Sequence, residues 1–173
     1  MENKLEYWQA GPIEGVPALL QPVAHALLQA KREVREYATG FPTKFLWEKP
    51  SGLASVGFHL QHLTGVLDRL FTYARGEQLS ETQLSFLRVE GVPNPTIDLE
   101  TLVTNFENQV LKAIEEIKTV KETDLISARS VGRKQIPSTV IGLLFHAAEH
   151  SMRHVGQLLV TIKVVTDKKE AGD

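Results

Sequence analysis

Apolar residues recur at three- and four-residue intervals through most of the chain, the spacing that gives an α-helix one buried face. From Val16 to about Ala38, a first stripe runs through Val16, Leu19, Leu20, Val23, Leu27 and Val34. Pro17 sits where a first helical turn tolerates it, and Gly40 and Pro42 close the segment. A second stripe, from about Ala54 to Ala74, uses Val56, Leu60, Leu63, Leu67, Leu70 and Phe71. The clearest is the third: Leu99, Leu102, Phe106, Val110, Ala113, Ile117 and Val120, with Thr96 or Asp98 as N-cap. A fourth begins after Ser138, a second N-cap candidate, and continues to about Val165.

The segments between these stripes break the period. Residues 1–15 carry Gly11, Pro12 and Gly15 and predict an irregular lead-in, with Leu5, Tyr7 and Trp8 available to pack on the body. Phe41 to Gly52 predicts a loop that Leu46 and Trp47 tuck down. Ser80 and Gln83 have capping-box spacing and predict a short helix over Glu81 to Val89, stopped by the Gly91-Val-Pro-Asn-Pro95 run. Residues 121–137 are polar, contain Gly132 and Pro137, and predict a plain connection; no segment alternates as a strand does. The tail 167–173 is expected to fray. Four long helices without strands predict an all-α four-helix bundle, one domain over residues 1–173, with connections longer than up-down-up-down topology needs. Such excess often builds a site at one end of a bundle.

Composition narrows the function. The 173 residues include 19 Lys+Arg against 21 Asp+Glu, a net charge of −2, so no cation excess exists to neutralise a phosphate backbone and nucleic acid is not an expected partner. No apolar run reaches the roughly 18 residues of a membrane span, and the first residues lack the basic-then-apolar order of a signal peptide. A cytoplasmic protein without membrane contact is the expectation. The chain has no cysteine, so any metal must be held by imidazole or oxygen.

Five of the six histidines fall in two segments, Phe58-His-Leu-Gln-His62 and His146-Ala-Ala-Glu-His-Ser-Met-Arg-His154. Residues four apart share a helix face, so His146/His150 and His150/His154 can each chelate an ion, whereas His146 and His154 lie about 12 Å apart along the axis. A third imidazole from a neighbouring helix would complete a set of three neutral nitrogens with a fourth position open to water, the catalytic form of a zinc site. His25 lies away from the main stripe and is assigned no function. Glu149 and Arg153 read as a solvated pair. A di-iron carboxylate bundle needs Glu-x-x-His twice and a zinc protease needs His-Glu-x-x-His; neither pattern is present. On helix 2, His59 lies about 60° from the centre of the apolar stripe and His62 about 120°, so burial alone favours His59.

The pairing of Ser55-Val-Gly-Phe-His-Leu-Gln-His62-Leu-Thr with His150-Ser-Met-Arg-His154-Val-Gly-Gln157 resembles the DinB-like superfamily of metal-binding four-helix bundles. That family shows a Ser or Thr seven residues before a helix-2 His and a late His-x-x-x-His followed by x-Gly-Gln; Trp47-x-x-Pro50 is also similar. The resemblance implies His62, His150 and His154 as metal ligands. It leaves His59 and His146 as outer or proton-handling groups, Gly156 as a point of close helix approach and Gln157 as a hydrogen-bonding neighbour. Zinc or nickel is the expected ion, with iron or copper also compatible with three imidazoles. The implied chemistry is activation of water, as in a hydrolase, or of a low-molecular-weight thiol, as in an S-transferase, acting on a small-molecule substrate. The alternative is a metal-stabilised bundle without turnover, serving in binding or stress response. A homodimer is expected from the same resemblance and from the broad apolar circumference of the last helix.

Overall fold

The computed structural model describes residues 5–170, and side chains as far as residue 167. Among the described residues, four long helices build the body: α1 (Gln21–Ala38), α2 (Val56–Ala74), α4 (Leu99–Thr119) and α5 (Val140–Glu170), with a short α3 (Glu81–Val89) between α2 and α4. Their buried faces are the stripes of the sequence. Leu27, Val34, Leu60, Leu63, Leu67, Phe71, Phe106, Val110, Ile117, Leu144 and Leu158 are all within 2% of complete burial. Each such Leu or Phe contributes about 1.5–3 kcal/mol relative to remaining exposed.

Topology accounts for the long connections. α1 packs against α4 and α5, and α2 packs against the same two helices, so α1 stands diagonally across the bundle from α2, and α4 from α5. A tight turn cannot join helices on a diagonal. Residues 39–55 and 120–139 are the two crossings.

The first crossing is held down as expected. Leu46 is 1% exposed, and the Gly57 N–H donates to the Leu46 carbonyl at 2.8 Å. The Trp47 ring lies so close to Gly57 that a Cβ there would collide with it. Ser55 caps α2, its Oγ accepting from the Phe58 N–H at 3.1 Å. Asp98 caps α4 and Ser80 caps α3 with the reciprocal Gln83 contact of a capping box.

The second crossing corrects the expectation of a strandless chain. Residues Ala128–Val131 (β1) and Ile136–Thr139 (β2) form an antiparallel hairpin, with Ala128 opposite Thr139 and Val131 opposite Ile136. Its four-residue arms are too short and too polar to show an alternating pattern, and a two-stranded ribbon tolerates Pro137 because both arms are edges. Arg129 Nε donates to the Ala74 carbonyl at 2.7 Å, fastening the hairpin to the C-terminus of α2. The hairpin also moves the start of α5: Thr139, not Ser138, is the N-cap, its Oγ1 accepting from the Gly142 N–H at 3.1 Å.

Other boundaries shift too. A 3-10 turn over Ala18–Leu20 precedes α1, so Pro22 rather than Pro17 occupies its first turn, and Leu19, expected in the core, is 62% exposed. Of the three apolar lead-in residues Leu5, Tyr7 and Trp8, Tyr7 packs, with the Arg32 guanidinium 5.1 Å above its ring, and Ile13 packs against the core; Leu5 and Trp8 are exposed. Residues 167–170, expected to fray, continue α5; 1–4 and 171–173 lie outside the described residues. No helix among the described residues is long and apolar enough to cross a membrane.

Candidate metal centre

α2 and α5 are neighbours in the bundle, and their contact brings the two histidine segments together. The ligand atoms of His62, His150 and His154 all lie within 4.8 Å of one another. Their rings form a triangle, with centroids 5.3 Å apart for His62 and His150, 4.5 Å for His62 and His154, and 4.6 Å for His150 and His154. His62 Nε2 and His150 Nε2 face each other at 3.0 Å. A tetrahedral ion with nitrogen bonds of about 2.0–2.1 Å separates its ligand atoms by roughly 3.3 Å, so this cluster needs little adjustment to fit one.

Groups behind the triangle set its tautomers. His62 Nδ1–H donates to Glu90 Oε2 at 2.8 Å, which leaves Nε2 with a free lone pair pointing at His150. Phe58 stacks on the His62 ring at 5.2 Å with planes 10° apart, fixing its rotation. His59 Nδ1 lies 3.1 Å from His154 Nδ1, and His59 Nε2 lies 3.4 Å from the Thr161 hydroxyl. If His154 donates to His59 and His59 donates to Thr161, Nε2 of His154 is likewise free. His150 differs: its Nδ1 is buried and finds no hydrogen-bond partner. Two of three imidazoles are thus held from behind, and the third carries an unmet polar atom. The donor set fits a divalent cation.

Burial favours the neutral form of three of these rings. Burial, followed by the neighbouring His62, lowers the His59 pKa to about 4. Burial and then His62, His150, His59 and Arg153 lower that of His154 to about 3. His150 is lowered by burial first and by His62 next. On His150 and His154 a lone pair is therefore available without a proton having to leave.

Both helix-2 histidines reach the site, in different capacities. His59 is 3% exposed, as its place nearer the stripe implies, and it backs His154. His62 lies at the edge of the buried arc, in the triangle itself. His146 is half-exposed and bonds Glu149 through Nδ1 at 2.7 Å, one turn from His150. Glu149 also pairs with Arg153 at 2.5 Å. His25 is remote: its Nε2 lies 3.0 Å from the Gly11 carbonyl and pins the lead-in.

Gly156 does not allow a close helix approach, because a Cβ there would meet nothing within 4 Å. It lines a cleft of about 510 Å³, with Leu53, Ala54, His59, Arg153, Gln157 and Val160 among its other walls, which meets the histidine cluster at His59 rather than at a ring of the triangle. Gln157 is an exposed wall of this cleft rather than a hydrogen-bond partner of a histidine.

The carboxylate was not foreseeable from helix periodicity. Glu90 ends α3, and its side chain is 5% exposed because Oε1 pairs with Arg69 at 2.5 Å while Oε2 receives His62. The insert is pressed onto α2 beside it, where the Gly91 N–H donates to Gln61 Oε1 at 2.7 Å. Gly65 makes room: a Cβ there would collide with Glu90 Oε1, Arg69 Nη1 and Phe86 Cε1. A glycine facing inward in α2 was the one available signal.

The fold is similar to that of a conserved protein of locus from Enterococcus faecalis, known from its crystal structure. The TM-score is 0.69 at 18% identity, covering 86% of this chain and 97% of that one. No curated protein matches the chain. The model of the DinB superfamily matches residues 26–158, which span α1 to α5 with both histidine segments, and the chain belongs to that superfamily.

Proposed function

We propose that His62, His150 and His154 hold one divalent cation, zinc or nickel ahead of iron or copper, and that the protein is a metal-dependent enzyme acting on a small molecule. The observation that carries this reading is the convergence of the ligand atoms of three imidazoles within 4.8 Å of one another, with a cleft of about 510 Å³ reaching the cluster at His59, behind His154. Bound there, the ion would supply a Lewis-acidic centre with a position open to water or to a low-molecular-weight thiol, lowering the pKa of either. The chain's own contribution is positioning. Glu90 and Phe58 orient His62, and the His59–Thr161 pair orients His154. Leu53, Ala54 and Val160 offer an apolar wall for a substrate body, and Arg153 places a positive charge at the rim. Hydrolysis and thiol transfer are the two reactions this arrangement suits.

The second reading, a metal-stabilised bundle without turnover, draws on Glu90: through it the same site ties α2 to the insert, so an ion would strengthen the fold as well. Elemental analysis of protein purified without chelators tests the site. Activity assays of the loaded protein on esters and amides, and on electrophiles with a low-molecular-weight thiol, separate the readings. No turnover with full metal occupancy supports the structural one.

We further propose that α5 pairs with a second copy of the chain. Phe145 and Val160 on α5 are 63% and 62% exposed, apolar surface that a partner helix would cover.

A further inference from the structure

One turn before the triangle, a second group of ligand atoms gathers at the surface. Those of His146, Glu149 and His150 all lie within 4.8 Å of one another. The His146 and His150 rings are 5.2 Å apart, and His146 Nδ1 contacts Glu149 Oε1 at 2.7 Å. His150 belongs to both groups. Its Nε2 faces His62, while Nδ1 is buried without a partner. The helix tilts each Cβ toward its N-terminus, so the His150 ring leans back over the turn that carries His146.

We propose that His146, Glu149 and His150 form a second, outer cation site, which captures a divalent ion from solvent and passes it to the inner triangle, His150 serving both sites. This rests on the reading of the triangle as a metal site. Two features make the outer site suited to capture rather than storage. Its imidazole and carboxylate are accessible, with 47% of the His146 side chain and 30% of the Glu149 side chain exposed. Arg153, held on the other Glu149 oxygen at 2.5 Å, sets a positive charge beside the site and weakens its hold on a cation. Arg153 also acts on His150 and His154, so what favours the inner triangle is its three nitrogens. An ion moving inward exchanges His146 and Glu149 for His62 and His154, one ligand at a time, and its bond to His150 breaks and re-forms on Nε2, the atom that faces His62.

The test uses Zn²⁺ and the full chain. In His62→Ala/His154→Ala, calorimetry should show one equivalent bound more weakly than in the unaltered protein, and adding His146→Ala/Glu149→Gln should weaken that binding by a further factor of about 10–100. Equal affinity with and without the added pair overturns the outer site. In the chain with the triangle intact, His146→Ala/Glu149→Gln should leave final Zn²⁺ occupancy unchanged but slow uptake about tenfold, followed with a chromophoric chelator as competitor. An unchanged uptake rate overturns the capture role. Circular dichroism verifies folding, and Gln in place of Ala at residues 62 and 154 serves if the first variant is unfolded. Absence of tight Zn²⁺ binding in the unaltered protein would overturn the triangle instead, and the His62→Ala/His154→Ala titration still decides the outer site by itself.

Discussion

Glu90 Oε2 accepts the Nδ1–H of His62 at 2.8 Å, so a residue from the short inserted helix aims an imidazole on α2 into the histidine triangle. The carboxylate is buried and its other oxygen is bound to Arg69, which makes the orientation of His62 depend on how the insert docks.

Replacing Glu90 separates orientation from charge. Glu90→Gln keeps an acceptor but removes the negative charge behind His62, and divalent-metal affinity is expected to fall about 10–100-fold. Glu90→Ala also leaves the Arg69 guanidinium buried and unpaired, at a cost of about 3–5 kcal/mol in urea denaturation. Arg69→Met/Glu90→Leu should recover most of that stability and none of the affinity. Metal affinity equal to that of the unaltered protein in all three variants would remove Glu90 from the site.

Gly65→Ala reverses the usual sign. In an ordinary helix interior the change stabilises by about 1 kcal/mol. Here the new methyl collides with the Glu90, Arg69 and Phe86 side chains, so both thermal stability and metal affinity should drop. A rise in melting temperature would show that the pair yields without cost.

Metal content distinguishes the histidines. Ala at residue 62, 150 or 154 should abolish stoichiometric metal in elemental analysis while circular dichroism stays helical, since the core stripes lie elsewhere. His59→Ala should weaken binding by about 10–100-fold through His154. His25→Ala should leave metal untouched and cost about 1 kcal/mol for the lost contact to Gly11. Full metal retention in His62→Ala with loss in His59→Ala would reverse the roles given to the two.

Acid should destabilise the metal-free protein over a defined window. The His59 and His154 pKa values are lowered by burial from the ordinary 6.5 to about 4 and about 3. Between those values and 6.5 the unfolded chain binds more protons than the folded one, so stability rises with pH; it is complete above 6.5 and lost as pH falls toward the folded values. Urea midpoints of chelator-treated protein should therefore decline from pH 6.5 downward, and less steeply in His59→Asn. A midpoint independent of pH over this range would contradict the buried neutral state.

The dimer is checked by mass. Light scattering should report twice the chain mass, shifting toward the monomer in Phe145→Lys/Val160→Lys.

Helix periodicity and the spacing of two histidine segments carried much of the architecture and the identity of the converging rings. These are local properties: a three-to-four repeat places its residues on one face whatever the rest of the chain does, and a four-residue interval stacks two imidazoles. The short hairpin escaped because its four-residue arms hold no pattern long enough to register, and its pairing depends on where α2 and α5 place its ends. The choice between His59 and His62 was also tertiary. Sequence angle put His59 nearer the core, and it is the more buried ring. Only the packing of α2 on α5, with the insert holding Glu90 against the outer edge of α2, turns His62 toward His150 and leaves His59 behind His154. Glu90 and Arg69, 21 residues apart on separate helices, become a buried pair because Gly65 lacks the side chain that would keep them apart, and no local rule reads a contact made by an absent atom.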